Sequence, residues 1–310
     1  MITVIAGGVG AARFLRGLVE TVDPTRCRAI VNVGDDLVLH GLHISPDIDT
    51  CIYTVADAID PERGWGLVDE TWRAMEALGR YGGENWFSLG DQDLATHLHR
   101  TQRLREGATL TEVTGELARA WGLDLTILPV TDDELRTHVS VPGEGELSFQ
   151  QYFVGRQHAV PIDGVRFAGE EAARPGPDVL ASIRDADVVV IAPSNPIVSI
   201  GPVLAVPGVR EALAARREQV VAISPIIGGQ ALKGPAADML STLGHEVSAV
   251  GIARLYAELA ETLVLDDADA DLAAAVAGVG VRPLVRDTIM STPERSAALA
   301  AATIAAGSDR

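Results

Sequence analysis

The sequence predicts an α/β protein built on a doubly wound, mostly parallel β-sheet. Short runs of Val, Ile and Leu, bounded by turn residues, recur along the chain without the alternation of a half-exposed strand. Such runs are typical of strands that are covered on both faces, as in a parallel sheet. Amphipathic helical patterns lie between several of the runs, and this alternation is typical of a sheet flanked by helices. A hydrophobic content of 47% is enough for a large aliphatic core.

The predicted strands and helices can be placed by number along the chain. The aliphatic runs predict strands at 2–8, 28–36, 125–133, 187–195, 219–227, 247–252 and 262–267. Amphipathic patterns predict helices that include 11–21, 207–217, 231–244 and 293–307, and the closing Gly-Ser-Asp-Arg is interpreted as a frayed tail.

One stretch breaks this rhythm of strands and helices. Residues from approximately 50 to 122 carry consecutive amphipathic patterns without an intervening aliphatic run, and we interpret them as a helical layer inserted between strands. The segment from approximately 137 to 155 alternates apolar and polar residues around a Gly-Glu-Gly turn, which predicts an antiparallel β-hairpin. We interpret both as parts of a single domain, residues 1–310.

Composition restricts the partners and the location of the protein. The net charge of -18 opposes binding to nucleic acids and anionic membranes, and its general role is solubility. Cys27 and Cys51 lack metal-ligand spacing and are predicted to be free, buried thiols in a reducing cytosol. The N-terminus lacks the basic region of a signal peptide, and the longest aliphatic run is too short to span a bilayer. We therefore expect a cytoplasmic protein.

The first predicted strand is followed by a glycine-rich loop, AGGVGAARF, at residues 6–14. Gly7, Gly8 and Gly10 would let a phosphate approach the backbone at the N-terminus of the next helix. Arg13 replaces the third glycine of a dinucleotide-binding fingerprint, and the Gly-Lys-Ser/Thr of a Walker A loop is missing. The loop therefore predicts either a phosphate site of another geometry or a tight turn without a ligand.

Two later strand ends carry similar turns. Ser194 and Asn195 could contact an anion or a nucleobase, or could cap the following segment. Gly228 and Gly229 precede Lys233, which suits an anion, although a surface lysine beside a turn would give the same pattern. Because the strand ends of an open α/β sheet form its ligand crevice, the three loops together favour a nucleotide diphosphate.

An acidic segment follows the second predicted strand. Asp35, Asp36, Asp47 and Asp49 lie within a short stretch that is otherwise rich in aliphatic residues. Carboxylate oxygens in close succession suit Mg²⁺, which keeps several waters and bridges to substrate phosphates. Asp47 and Asp49 are the predicted direct ligands, with Asp35 and Asp36 behind them and His40 as a donor to phosphate. The alternative is that Asp47 and Asp49 only cap the helix that follows.

The stretch WFSLGDQDLATHLHRT, residues 86–101, offers a second group of candidates. Asp93 and His97 are spaced to share one helix face, although Asp93 could equally be a helix cap and His97 a solvated side chain. Trp86 and Phe87 could form a stacking wall for a flat ring, but for two aromatic residues a place in the core is the better interpretation.

Six ordered motifs resemble those of the 2-phospho-L-lactate transferase family, CofD, called FbiA in actinobacteria. They run from the first predicted strand towards the last helices: AGGVGAARFLRGL, NVGDD, HGLHISPDIDT, WFSLGDQDLATHLHRTQRLREG, APSNPIVSIGPVLAVPG and SPIIGGQALKGPA. The resemblance implies a Rossmann-like three-layer α/β core with added helices. It also implies a Mg²⁺-dependent step in the biosynthesis of the deazaflavin coenzyme F(420).

In that reaction a phosphoenolpyruvyl or 2-phospho-L-lactyl group leaves a guanosine diphosphate ester, enolpyruvyl- or lactyl-diphosphoguanosine. The acceptor is the ribitol terminal hydroxyl of FO, 7,8-didemethyl-8-hydroxy-5-deazariboflavin. The products are GMP and either dehydro-F(420)-zero or F(420)-zero. The actinobacterial character of the motifs favours the enolpyruvyl donor, and relatives suggest a homodimer.

The resemblance also assigns roles to individual residues. Asp49 becomes a contact to FO and to the metal, the candidate catalytic base, with Asp47 beside it. Gln92 stands where relatives carry a basic residue that reaches FO, so it can donate a hydrogen bond but brings no charge. Trp86 and His97 are predicted for the same FO site. The glycine loop, Ser194-Asn195, Gly228-Gly229 and Lys233 would surround the guanosine diphosphate.

Two other functions are compatible with parts of the sequence. The gluconeogenesis-factor family (YvcK-like) shares the first glycine loop and a GDD-like segment, which would make the protein a non-catalytic, nucleotide-sugar-binding regulator. The motifs HGLHISPDIDT and WFSLGD favour the transferase instead. A nicotinamide dehydrogenase is disfavoured because the third glycine of the fingerprint is missing.

Overall fold

The structure is a computed structural model that describes residues 1–308. Its strands are β1 (Ile2–Ala6), β2 (Cys27–Val31), β3 (Leu37–Leu39), β4 (Leu42–Ile44), β5 (Thr126–Pro129), β6 (Arg136–Val141), β7 (Gly145–Ser148), β8 (Gly164–Ala168), β9 (Val188–Ile191), β10 (Val220–Ile223), β11 (Ile226–Ile227), β12 (Gln230–Ala231), β13 (Thr262–Leu265) and β14 (Arg282–Val285).

The α-helices lie between these strands and at the end of the described chain. They are α1 (Gly8–Val19), α2 (Pro46–Val55), α3 (Arg73–Arg80), α4 (Asp93–Arg105), α5 (Leu110–Ala120), α6 (Val179–Arg184), α7 (Gly201–Ala205), α8 (Val209–Ala214), α9 (Ala236–Thr242), α10 (Ala249–Tyr256), α11 (Ala273–Gly278) and α12 (Pro293–Ser308). Gly307 and Ser308 of the predicted tail belong to α12, and the last two residues of the tail lie outside the described residues.

Seven parallel strands form the central sheet, in the order β14-β13-β10-β9-β1-β2-β5. The chain builds one side of the sheet outwards from β1 through β2 to β5, and then returns to place β9 on the other side of β1. This reversal creates a crevice between β1 and β9 at the carboxyl ends of the strands. The predicted doubly wound α/β fold is therefore confirmed.

The core explains why the strand sequences lack alternation. Every residue of β9 and β10 is buried, because the sheet has helices packed on it. Helix α1 packs against α2 and α12, and its face of Ala, Phe and Leu joins the main aliphatic cluster. Cys27 and Cys51 are both buried and free, as predicted.

Two elements near the C-terminal half of the sheet differ from the prediction. The run 247–252, predicted as a strand, begins helix α10, because the Ser248 side chain accepts the Gly251 N–H at 3.1 Å and caps the helix. A short aliphatic run does not separate a strand from a buried helix. Strand β14 was not predicted; its Pro283 lies on the sheet edge, where a missing N–H is tolerated.

The insertion between β2 and β5 contains the predicted helices and one more feature. Helices α2 to α5 account for a little under half of it, and the long loops 56–72 and 81–92 separate the first three helices. The hairpin β3–β4, which the sequence analysis did not identify, precedes them.

The predicted hairpin 137–155 is present as β6–β7, and β8 extends it into a three-stranded sheet. Within residues 1–308, no helix has both the length and the apolar composition needed to cross a bilayer.

The contact between α1 and α12 generates a stability prediction. A methyl group at Gly17 would overlap the backbone of Ser296, so Gly17→Ala should force the two helices apart and lower the free energy of unfolding by ~1–3 kcal/mol. At Gly115, in α5, the same methyl would meet only the end of Arg119 at 3.7 Å, so Gly115→Ala should be neutral or stabilising by up to ~1 kcal/mol. Urea unfolding measures both, and equal effects would contradict the close packing at Gly17.

Candidate functional site

A cavity of about 650 Å³ lies at the carboxyl ends of the central strands. It is lined by the loop after β1, the start of α2, the loop after β9 and parts of two loops, 63–66 and 231–236. The crevice between β1 and β9 therefore opens into this cavity, as expected for the switch point of a doubly wound sheet.

The glycine loop after β1 is shaped for close backbone contacts. Gly8 has a φ of 71°, which favours glycine, and a methyl group at Gly10 would overlap the carbonyl of Pro193. Helix α1 begins here with no side-chain cap and no acidic residue in its first turn. The positive end of the helix dipole therefore faces the cavity without a compensating acidic residue in the helix's own first turn.

The loop after β9 contributes two polar side chains with different surroundings. Asn195 caps its own turn, because its Oδ1 accepts the N–H of Ile197 at 2.9 Å. Ser194 is buried against the cavity, and its Oγ has no hydrogen-bond partner in the described part of the chain. Of these two side chains, that of Ser194 is therefore the one free to hydrogen-bond to a ligand.

Two buried carboxylates meet at the inner wall of the cavity. The Nδ2 of Asn32 donates to Asp35 Oδ1 at 2.7 Å and to Asp47 Oδ2 at 2.9 Å. Gln150 donates to the second oxygen of Asp35 at 3.2 Å. Burial, followed by the nearby charge of Asp47, raises the pKa of Asp35 well above its ordinary value. Burial also raises the pKa of Asp47 to about 6, although hydrogen bonds from Asn32 and the Gly8 N–H oppose the rise.

A second polar group lies beside the first and contains an arginine. Arg100 is fully buried and donates to both oxygens of Asp49, at 3.1 Å to Oδ2. His97, 1% exposed, lies between two carboxylates, with Nδ1 3.8 Å from Asp49 Oδ2 and Nε2 3.1 Å from Asp93 Oδ2. The Tyr53 hydroxyl donates to Asp93 Oδ1 at 2.6 Å. Burial raises the pKa of Asp49 against the opposing charge of Arg100.

Donor atoms for a metal ion occur in both polar groups. One oxygen each of Asp49 and Asp93 and one nitrogen of His97 lie within 4.8 Å of one another. Asp49 already has Arg100 as a counter-charge, whereas Asp35 and Asp47 share only the neutral amide of Asn32. Asp35 and Asp47 are therefore buried carboxyl groups of the site that have no paired cation.

Cations lie at the outer part of the same cavity. Arg13 of α1 and Lys233 both line it, and neither forms an ion pair with a described residue. Arg63 also lines the cavity but is paired with Asp60 at 2.9 Å. The cavity therefore has carboxylates on its inner wall and unpaired cations in its outer part. This combination suits a ligand that carries phosphates.

The structure brings together most residues that the sequence predicted for the site. Ten of them line the cavity: Gly7, Gly8, Gly10, Asp35, Asp47, Asp49, His97, Ser194, Asn195 and Lys233. The carboxyl ends of parallel strands and the turns that follow them place these residues near one another.

Six predicted residues do not line the cavity: Asp36, His40, Trp86, Gln92, Gly228 and Gly229. His40 is exposed in the turn between β3 and β4. The side chain of Gln92 is exposed and donates to the backbone carbonyls of Val68 and Asp69, each at 3.2 Å. Trp86 is half-buried and packs edge-on against Phe87, at 5.7 Å between ring centroids, whereas Phe87 lines the cavity.

The second glycine pair and Asp36 are held by other contacts. Gly228 and Gly229 form the two-residue turn between β11 and β12, both with positive φ, and the Gly228 N–H donates to Asp269 at 3.1 Å. Asp36 lies behind the cavity wall and accepts from Ser45 Oγ at 2.7 Å, while its Oδ1 is buried without a partner in the described residues.

Sequence reasoning missed three residues of the cavity region. Arg100 continues the helix face of Asp93 and His97, so the spacing itself carried the signal. Asn32 stands directly before the predicted acidic segment, but nothing in the sequence shows that its amide bridges two carboxylates. Trp65 lies between two glycines in a loop, a position that could have marked it as a presented aromatic ring.

Comparison with known proteins agrees with this geometry. The family model described as 2-phospho-L-lactate transferase CofD matches residues 2–294. The chain is 47% identical to a phosphoenolpyruvate transferase of Nocardia farcinica, over 86% of this chain and 82% of that protein. It is 43% identical to a phosphoenolpyruvate transferase of Thermobifida fusca, over 98% of this chain and 96% of that protein.

A solved structure supports the fold alone. A crystal structure of a member of the UPF0052 family from Bacillus halodurans superposes with a TM-score of 0.61 at 18% identity. The superposition covers 98% of both chains.

Asp36 generates a pH prediction. Burial raises its pKa to about 7, so above pH ~4 the folded protein keeps a proton that the unfolded chain has released. Stability should therefore fall as the pH rises from about 4 to about 7, by up to ~1.4 kcal/mol per pH unit from this group. Asp36→Asn removes the ionisation and can still accept from Ser45. In urea unfolding without divalent cations, it should match the wild type near pH 4 and exceed it, by a margin that grows with pH, near pH 7.5.

The matched control for this experiment is Asp124→Asn, at an exposed position. This control should change the free energy of unfolding by the same small amount at both pH values. A constant difference between Asp36→Asn and the wild type across this range would contradict a buried, protonated Asp36.

The buried ion pair generates a second prediction. Arg100→Met leaves Asp49 without its counter-charge and should lower the free energy of unfolding by ~3–5 kcal/mol. The double variant Arg100→Met with Asp49→Leu removes both charges and should recover part of the loss. Arg166→Met, which breaks the exposed pair with Glu146, should leave the urea midpoint unchanged. A double variant no more stable than Arg100→Met would show that unpaired charge is not the cause.

Proposed function

The chain belongs to the CofD family of 2-phospho-L-lactate transferases and is a phospho-group transferase, and we propose that it acts in the biosynthesis of coenzyme F(420). The proposed donor is a guanosine diphosphate ester, and the proposed acceptor is the ribitol hydroxyl of FO. The observation that carries the proposal is one cavity that joins a glycine loop, unpaired cations and buried carboxylates. The name phosphoenolpyruvate transferase, given to both relatives described above, favours the enolpyruvyl ester as the donor.

The diphosphate of the donor fits the outer part of the cavity. Gly8 and Gly10 line the cavity at the N-terminus of α1, and Ser194 Oγ is unpaired and available to donate to an anion. Arg13 and Lys233 supply positive charge that no described residue neutralises. The contribution predicted for Gly228 is the weaker part of the proposal, because its N–H already donates to Asp269.

The acceptor fits the side of the cavity formed by α2 and α4. Asp49 and His97 line this side together with the apolar surfaces of Phe87 and Tyr53. A flat ring system can pack against such surfaces while its polar edge meets the carboxylate and imidazole groups. Trp86 and Gln92, which the sequence predicted for FO, lie outside the lining of the cavity as it stands.

The carboxylates at this edge of the sheet would hold a Mg²⁺ ion, with Asp47 and Asp49 as the proposed ligands and Asp35 joined to Asp47 through Asn32. Asp49, which also lies within 4.8 Å of donor atoms of Asp93 and His97, would exchange part of its pairing with Arg100 for the ion. The shared neutral amide leaves the buried charge at Asp35 and Asp47 uncompensated, and hard carboxylate oxygens are the ligands that Mg²⁺ prefers. When bound, the ion would neutralise charge that develops on the phosphate oxygens.

The side chains of the cavity then align the substrates, offset negative charge and accept one proton. The FO hydroxyl oxygen forms a bond to the phosphorus that carries the enolpyruvyl group, and the bond from that phosphorus to the GMP oxygen breaks. The cavity aligns the two substrates, while Arg13 and Lys233 offset the charge on the departing GMP. The hydroxyl proton passes to a carboxylate of the acidic cluster, for which Asp49 is the candidate.

Product analysis tests the proposed function. The protein is incubated with FO, enolpyruvyl-diphosphoguanosine and Mg²⁺, and the mixture is analysed by mass spectrometry. We expect dehydro-F(420)-zero and GMP in equal amounts, and loss of both when the divalent cation is chelated. GMP without the deazaflavin product would contradict the assignment of the acceptor. Binding of a nucleotide without turnover would favour the regulator instead.

Asp47→Asn tests the acidic cluster within the same assay. The asparagine oxygen can still accept from Asn32 and from the Gly8 N–H, so the variant removes charge and little else. We expect turnover to fall by ~100-fold or more while the unfolding midpoint stays at or above that of the wild type. Asp57→Asn, at an exposed ion pair with Arg16, is the control and should keep full turnover. Normal turnover in Asp47→Asn would remove Asp47 from the mechanism.

A further inference from the structure

The loop 60–66 is a compact structure at the rim of the cavity. The N–H of Asp60 donates to the Gly66 carbonyl at 3.1 Å, and the N–H of Gly64 donates back to the Asp60 carbonyl at 2.8 Å. Gly64 and Gly66 both have positive φ, which lets the chain turn sharply on either side of Trp65. An antiparallel bridge between Ile59 and Leu67 closes the base of the loop. The backbone therefore fixes the direction in which Trp65 leaves the loop.

The side chain of Trp65 is supported from behind. The guanidinium of Arg63 lies 5.5 Å from the Trp65 ring centre and 4.8 Å from that of Trp72. Arg63 is itself held by Asp60 at 2.9 Å and by the Leu67 carbonyl at 2.9 Å. Cation–π contacts of this kind stabilise the orientation of an indole ring. Trp65 is therefore positioned by several independent contacts.

The indole nevertheless remains open to the cavity. Trp65 is 45% exposed and lines the cavity, and the other large exposed hydrophobic residue in the lining is Leu232, at 60%. The loop of Leu232 lies close by, since a methyl group at Gly64 would be 3.2 Å from Lys233 Nζ. Phe149, by contrast, is 8% exposed and already stacks on Phe153 at 5.4 Å. Trp65 thus has free ring surface, whereas most of the Phe149 surface is covered.

We propose that the Trp65 indole is a stacking surface for a planar heterocycle bound in the cavity. Supported aromatic rings beside unpaired cations are a common means of holding flat ring systems that carry phosphates or polar chains. The proposal rests on the proposed function for the identity of its two possible ligands, the tricyclic ring of FO and the guanine of the donor. Both offer the same chemistry, a flat π-surface, and the experiment separates them.

Equilibrium binding of FO and of GDP tests the proposal, with titration calorimetry as the measurement. Trp65→Leu should weaken one of the two ligands by ~10-fold or more, and Trp65→Phe should retain part of the affinity. The ligand that is weakened identifies the ring that stacks. Tyr81→Leu, at an aromatic residue that is 87% exposed and lies outside the cavity lining, is the matched control and should change either affinity less than ~2-fold.

A spectroscopic signature separates stacking from a general effect on folding. In the wild type, the stacked ligand should quench tryptophan emission. This quenching should largely disappear in Trp65→Phe and persist in Trp121→Phe, at a half-buried tryptophan outside the cavity lining. Wild-type binding together with unchanged affinities in Trp65→Leu would overturn the stacking role and leave the proposed function intact. Failure of the wild type to bind either ligand would overturn both.

Discussion

Buried negative charge at the carboxyl edge of the central sheet is the constraint around which the site is arranged. Asp35, Asp47 and Asp49 are buried, and an unpaired buried carboxylate is costly. One fully buried arginine, Arg100, compensates Asp49, and one neutral amide, Asn32, is shared between Asp35 and Asp47. Burial raises the pKa of both Asp47 and Asp35. An arrangement that keeps several carboxylates together at such a cost is typical of a functional site.

The fold creates the conditions for this arrangement. Because β9 returns to the side of β1 opposite β2, the turns after β1 and β9 meet with no strand between them. Close approach at this point requires glycine, as the overlap that a methyl group at Gly10 would make with Pro193 shows. The same edge receives the start of α2, which brings Asp47 to the glycine loop through the Gly8 N–H. One cavity is therefore surrounded by the N-terminus of α1, the buried aspartates and the unpaired cations.

Features that a short stretch of residues encodes were predicted correctly from the sequence. The parallel sheet, the glycine loop and the acidic segment follow from short runs of residue types, and the structure agrees with each. Where a local pattern was ambiguous, prediction was wrong: the run 247–252 fits a strand and a buried helix equally well, and the Ser248 cap selected the helix. Gly228 and Gly229 look like a second phosphate loop in sequence, yet they form the turn of a short hairpin.

The sequence by itself determined the class of fold, the family and ten of the residues that line the cavity. Residue types and their spacing fix strands, turns and motifs, and the motifs are specific because six of them occur in order. Only the tertiary structure decided the partners: Arg100 for Asp49, Asn32 for two carboxylates, and Trp65 rather than Trp86 at the cavity. The Arg100–Asp49 contact joins residues 51 positions apart, and the Asn32 contacts are short in sequence. In each case the geometry depends on how the inserted helices and loops pack against the sheet, which no local pattern encodes.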